Sequence, residues 1–453
     1  MKVPSLEKSL GIETYASKSQ GTGGRIRQSP EDFIVEEILV DGSKASVEAT
    51  PKLDENKKGR YLICWLVKSN WDTFLAVRKV AKSLGISHKR VEFAGLKDTK
   101  ALTSQHISLQ NVNPEQLKRI KIKDLTLHPI RFSRQPVFPH LLYGNHFKIT
   151  IRAIPHSTKE TERRVKKIKE ELSKLGGIPN FFGHQRFGTT RPVTHLVGKA
   201  LTQGNVKKAA LIFLAKPFPQ EHPQSRRART RLKESENFEE ALQLFPKSLF
   251  YERLMLKHLA KHPKDFVGAF KTLPHRLRRL FPQAYQSYLF NRFLSQRIKE
   301  GLPLNEALTG DHVVLVDKYG LPTDAFRLVD EKSVSNINKA LQEGRMRLAL
   351  PLVGYRQKTS KGVQGEIEQK ILQEEEITPE DFQMKAFPEI RAAGGLRTAI
   401  TPILNFTFNK PIKDNVNPSK KAVMLIFTLQ RGAYATILLR EIMKTKNLLK
   451  TGF

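Results

Sequence analysis

Strand-like runs near both ends of the chain, separated by a long helical stretch, are what most narrows the folds open to it. Tyr61 to Val67 is a near-continuous apolar run entered from Lys58-Gly59-Arg60, as expected of a buried strand. Phe74, Val77, Ala81 and Leu84 then recur at helical spacing, with Asn70 or Asp72 placed to cap that helix and Gly85 to end it. A short strand is predicted over Val91 to Ala94. Phe147, Ile149 and Ile151 alternate with Lys148, Thr150 and Arg152, the period of a half-buried strand. Val165, Ile168, Leu172 and Leu175 form the apolar stripe of a basic helix that Gly176-Gly177 stops. From residue 196 to 387 the pattern turns mostly helical, with breaks at Pro217, Pro219, Pro223 and Pro274. After Pro388 strand character returns, notably over Ala422 to Leu429, ahead of a helical Thr436 to Met443. The short connections favour a mixed, mainly antiparallel sheet, so the expectation is an α+β protein in two domains. Residues 25–195 and 388–453 would form one domain, and 196–387 a mostly helical domain inserted into it. Residues 1–24 read as a flexible lead-in, and no periodic repeat is present.

Charge narrows the partners. Among 453 residues, 78 Lys and Arg face 44 Asp and Glu, a formal charge of +34. Solubility alone is one reading of such an excess, but neutralising phosphates is the main sequence-independent source of affinity for nucleic acid. Hydrophobic residues at 39% are enough for a folded chain rather than a basic tail. The single cysteine, Cys64, excludes an intramolecular disulfide and fits a reducing, cytoplasmic setting. The apolar runs fall short of the ~18 residues that a bilayer requires, and the N-terminus lacks the apolar core of a secretory signal.

Familiar catalytic patterns are missing. There is no GxxxxGK[ST], HExxH or GxSxG, no GxGxxG follows a strand, and the thirteen His residues lack metal-ligand spacing. Three segments remain. In Phe93-Ala94-Gly95-Leu96-Lys97-Asp98-Thr99-Lys100 a carboxylate stands in a loop after a strand, between two cations that favour its ionised form. On spacing alone, a turn aspartate satisfying its own backbone explains it better. Asn180-Phe181-Phe182-Gly183-His184-Gln185-Arg186-Phe187-Gly188 offers either stacking faces and base-edge hydrogen bonds or a hydrophobic corner. Gln286 to Asn291 lies on a helix whose Tyr285, Leu289 and Phe293 spacing favours core packing.

Together these segments resemble the TruD family of pseudouridine synthases, which act on tRNA. The resemblance rests on Pro30-Glu31-Asp32-Phe33, on Ala94-Gly95-Leu96-Lys97-Asp98 with Thr103 and Gln105, and on Gly144-Asn145. The Asn-Phe-Phe-Gly-x-Gln-Arg-Phe-Gly block, Gly432 to Thr436 and Leu439-Arg440-Glu441 complete it. It implies a pseudouridine synthase fold with an inserted TRUD domain and an enzyme that isomerises uridine, most often at position 13 of tRNA, to pseudouridine. It also implies Asp98 as the catalytic aspartate, Phe182 as the ring that stacks on the target base and Asn180 as a support for the aspartate loop. A basic residue near the carboxylate would be Arg27, with Arg25 an alternative. Lys97, Gln185 and Arg186 would line the substrate pocket. No cofactor or metal is expected, the partner is tRNA, and the protein should act as a monomer away from membranes. The rival readings are a non-catalytic tRNA-binding or tRNA-folding protein on the same fold, and another RNA-modifying enzyme such as a methyltransferase. The basic helix 158–175 and the clusters at Arg226 to Arg231 and Arg276 to Arg279 could flank the Asp98 pocket.

Overall fold

The computed structural model describes residues 2–453, which divide into two compact units. One comprises Ser17–Ile178 with Thr401–Phe453, the other Pro179–Ile400 with the segment ending at Ala16. These divisions fall at 178/179 and 400/401, where the sequence pattern places them at 195/196 and 387/388.

The first unit is built on a nine-stranded sheet. Its main path runs Ile403–Phe408, Lys421–Gln430, Leu142–Ile154, Phe33–Leu39, Leu102–Gln110, Tyr61–Ser69 and Leu125–Ser133. One adjacent pair, Phe33–Leu39 with Leu102–Gln110, is parallel, and the other paired neighbours run antiparallel. The sheet is therefore mixed and mainly antiparallel, as expected. On one face Leu62, Cys64, Leu66, Ile107 and Leu109 pack against Val77, Val80 and Ala81 of the helix Thr73–Ser83. Asp72 caps that helix by accepting from the Leu75 N–H. The amphipathic helix Thr158–Lys174 buries Val165, Ile168 and Leu172 and contacts the helix Ala435–Met443. Gly144 has no room for a side chain, because a Cβ there would lie 2.1 Å from the Leu429 carbonyl oxygen of the neighbouring strand.

The second unit is mostly helical. Its spine is the 25-residue helix His275–Lys299, against which Thr194–Thr202 packs so closely that a Cβ on Gly198 would sit 2.1 Å from the Phe281 carbonyl oxygen. Phe213, Leu256, Phe270, Phe281 and Phe387 are among the residues of its core. The helical pattern conceals a four-stranded antiparallel sheet, ordered Gly395–Thr398, Met346–Leu352, His312–Val316, Pro322–Leu328. Strand character after Pro388 thus begins inside this unit, which is why the boundary falls later than composition suggests.

The N-terminal segment corrects the expectation of a flexible lead-in. Leu10 and Ile12 are fully buried, and Asn291 and Ser295 of the long helix donate to the carbonyls of Leu10 and Gly11. Farther on, the N–H groups of Thr22 and Gly23 donate to Ile442 and Met443, and Arg25 exchanges two backbone hydrogen bonds with Arg152. Among the described residues no helix is long and apolar enough to cross a membrane.

Candidate active site

The parallel pair at the centre of the large sheet places Leu102 beside Ile34 and leaves the connection after Val91–Phe93 as a loop at the head of the Leu102–Gln110 strand. Asp98 stands in that loop. Its carboxylate accepts from an Arg27 terminal nitrogen at 2.7 Å, and the aspartate side chain keeps 26% of its exposure against 8% for the arginine. The carboxylate is thus both held and reachable. Arg27 is positioned from three sides. Its other terminal nitrogen donates to the Gly452 carbonyl at 3.0 Å, its guanidinium lies 3.9 Å over the Phe33 ring, and its backbone sits in the left-handed region at φ 58°. Burial draws the guanidinium below its usual value, against the pull of Asp98, yet an arginine still stays charged at neutral pH. The pair is a charge-assisted hydrogen bond that fixes the direction of the aspartate. Arg25 is used otherwise, in its backbone pairing with Arg152.

Lys97 is buried. Its buried ammonium pairs with Glu37 at 2.6 Å, and Glu37 also accepts from the backbone and ring of His106. Burial alone would raise the Glu37 carboxyl, but Lys97 and His106 together hold it below the ordinary carboxylate range. Lys97 therefore ties the loop to the central strand rather than lining a pocket, which corrects the expectation for it. Thr73 accepts from the Lys97 N–H at 3.2 Å, and Gln105 donates to the Gly95 carbonyl at 3.0 Å.

Sequence reasoning missed Lys68. Its fully buried ammonium donates to the carbonyls of Asp98 at 3.0 Å and Trp71 at 2.7 Å, which clamps the loop at the aspartate itself. Burial pushes this lysine down to about 8, although Asp98 and Asp72 favour its charged form. Its only signal in the sequence is a lysine closing a buried strand.

Asn180, Phe182, Gln185 and Arg186 belong to the other unit. Asn180 donates to Thr398 at 3.0 Å and accepts from Arg397 through both its side chain, at 2.6 Å, and its backbone, at 2.9 Å. Phe182 is half-buried, edge-on to Phe290, with the Arg397 guanidinium 4.0 Å from its ring centre. Its backbone is clamped at both N–H and carbonyl by the Asn291 amide. Phe181 and Phe187 are fully buried, so the Phe-rich block is partly a hydrophobic corner and partly a presented ring. Arg186 donates to Ser287 at 3.1 Å, and Gln185 is exposed. Arg397 and Asn291 were not singled out by sequence, since each shows its role only beside a partner far along the chain. Among the described residues no group of three or more His, Cys, Asp or Glu could hold a metal ion.

Comparison with known proteins adds an independent observation. The family model of tRNA pseudouridine synthase D (TruD) matches residues 9–442. A Methanosarcina mazei protein named "Probable tRNA pseudouridine synthase D" is 40% identical over 453 residues, covering 99% of each chain. One of the same name from Pyrococcus abyssi is 38% identical over 432 residues, covering 95% of this chain and 98% of its own. A crystal structure of a Methanosarcina mazei protein, described as a TruD tRNA pseudouridine synthase D, superposes with a TM-score of 0.85 at 40% identity, over 98% of this chain and 99% of that one.

Proposed function

Because the chain belongs to the tRNA pseudouridine synthase D (TruD) family, we propose that it isomerises a uridine of tRNA to pseudouridine with Asp98 as its catalytic carboxylate. The observation that carries the assignment of the residue is the Arg27–Asp98 pair: a partly exposed carboxylate held at 2.7 Å by a nearly buried arginine. The reaction breaks the N1–C1′ bond, turns the uracil, joins C5 to C1′ and releases the proton from C5, while N1 takes up another. Atoms and electrons balance within the nucleoside and a proton, so the chemistry calls for no oxidant, reductant or group donor. The target base must leave its stack to meet a carboxylate of this kind. By the family resemblance Phe182, with its backbone fixed by Asn291, is the ring proposed to stack on the base, and Arg397 lies over it; Asn180 pairs with Thr398 and Arg397 rather than with the Asp98 loop that the resemblance implied for it. Lys97 and Lys68 are positioning residues for the loop. Position 13 of tRNA is the proposed target, from the family resemblance.

The test is carbodiimide mapping of pseudouridine in tRNA incubated with the wild-type protein or with Asp98→Asn. The wild type should create one new site and the variant none, while the variant keeps its fold and its affinity for tRNA. Pseudouridine formation by Asp98→Asn at the wild-type rate would refute the catalytic assignment. A protein that binds tRNA and modifies nothing would favour the non-catalytic reading.

A further inference from the structure

The helical unit carries a cavity of about 630 Å³ on the helices Val206–Ala215 and Pro223–Ser235, the size range of small-ligand sites. Leu211, Ile212 and Pro217 give it an apolar floor, and four lysines stand against a single glutamate around it. A second cavity adjoins it across Pro217, with Phe218 and three arginines, again against one glutamate.

The charges below this surface balance among themselves. Buried Arg229 pairs with Glu221 and Glu252, and it shares with Arg191 the task of satisfying the carbonyls that end the first helix. The rim is different. Lys207 reaches Glu236 at 3.2 Å, but Lys208, Lys216 and Lys233 have no carboxylate partner among the described residues. Partial burial, then Arg191 and Lys233, lower the Lys216 ammonium, and its head lies 5.8 Å from the Phe218 ring. Cations crowded over an apolar floor and left without counter-charge are complementary to an anion with a flat apolar part.

We infer that this cavity is a second RNA-binding site, which takes one unstacked nucleotide of the tRNA, its base on the Leu211–Ile212 floor and its phosphate among Lys208, Lys216 and Lys233. The inference rests on the tRNA reading above. It adds a contact made by residues outside the proposed catalytic machinery, and binding can be measured whether or not turnover occurs.

The experiment uses the full chain and an unmodified tRNA transcript. Filter binding across a series of KCl concentrations compares the wild type with a variant carrying Lys208→Ala, Lys216→Ala and Lys233→Ala. Affinity at low salt should fall by at least about tenfold, and the slope of log K against log[salt] should flatten by about one, because the three lysines share a single phosphate. Leu211→Glu should weaken binding too, by placing a carboxylate on the floor. The single-turnover rate at saturating protein should stay at its wild-type value. In a tRNA substituted with 4-thiouridine, ultraviolet cross-links should fall within residues 206–235. Unchanged affinity and slope in the triple variant, or cross-links confined to other segments, would overturn the inference. Wild-type tRNA binding without any pseudouridine would instead refute the proposed activity and leave this site standing.

Discussion

Replacing Lys68 by methionine should separate positioning from stability. The ammonium is fully buried and donates to two carbonyls, those of Trp71 and Asp98. Burial lowers the lysine from 10.5 to about 8, which means that the native fold withholds roughly 3 kcal/mol from the charged form. Methionine removes that penalty and keeps most of the side-chain volume. Against this, two buried carbonyl oxygens lose their donor, at about 1–3 kcal/mol each. The two effects largely offset, so the net loss of stability should lie between about −1 and 3 kcal/mol and the variant should fold. Activity should not be spared in the same way. The lost donor held the Asp98 carbonyl, and a displacement of about 1 Å in a reacting group costs on the order of a hundredfold in rate. Tritium release from tRNA labelled at C5 of uridine should show kcat reduced about a hundredfold, with tRNA affinity within about threefold of wild type. The stability difference carries a pH signature as well. Between about pH 8 and 10.5 the unfolded chain holds the Lys68 proton more firmly than the native one, so the wild type should gain on Lys68→Met as pH rises through that window. A folded Lys68→Met enzyme with wild-type kcat would refute the reasoning about the clamp, and a variant that fails to fold would refute the offset.

Other expectations concern the same two units. Arg27→Met should lower kcat/KM by about ten- to a hundredfold, the worth of a hydrogen bond to a charged group. Arg27→Lys should restore only part of that, since one ammonium cannot reach both Asp98 and the Gly452 carbonyl as the guanidinium fork does; equal rates for the two variants would argue against the fork. Phe182→Ala should cost about 1–3 kcal/mol in transition-state binding through lost stacking. A wild-type kcat/KM would return that ring to the hydrophobic corner. Glu368 is buried beside Asp311 and accepts from Ser360 and Gln364, and burial raises its carboxyl to about 7. A carboxyl raised in the native state favours folding at acid pH and loses that contribution as pH climbs from 4.5 through 7. Urea denaturation should therefore find Glu368→Gln gaining on the wild type over this range, by up to about 3 kcal/mol.

What the sequence could disclose depended on how locally each signal is written. The Tyr61–Ser69 strand, the Thr73–Ser83 helix with its Asp72 cap and the Thr158–Lys174 helix follow from period and capping within a dozen residues. The Asp98 loop could be found because its residues are contiguous. Lys68 could not, because it acts on two backbone carbonyls, which leave no mark in side-chain identity. Arg397 meets Asn180 across 217 positions, and a lone arginine after two glycines announces nothing of that. Asn291 was read with the core of its helix, and it is indeed fully buried, but its amide serves the backbone of Phe182. Lys97 misled in the opposite direction: adjacency to Asp98 suggested a shared task, while its ammonium turns inward to pair with Glu37.

The bond from Arg27 to the Gly452 carbonyl has a consequence for how the protein is made. The partners in that bond are 425 residues apart, and the Ile26 N–H likewise waits for the carbonyl of Thr451. A ribosome making about 5–20 residues per second adds these acceptors tens of seconds after it has added Arg27. In that interval Asp98 and Arg27 both exist, but the arginine lacks its Gly452 anchor. The Arg27–Asp98 pair therefore acquires its final setting late in synthesis.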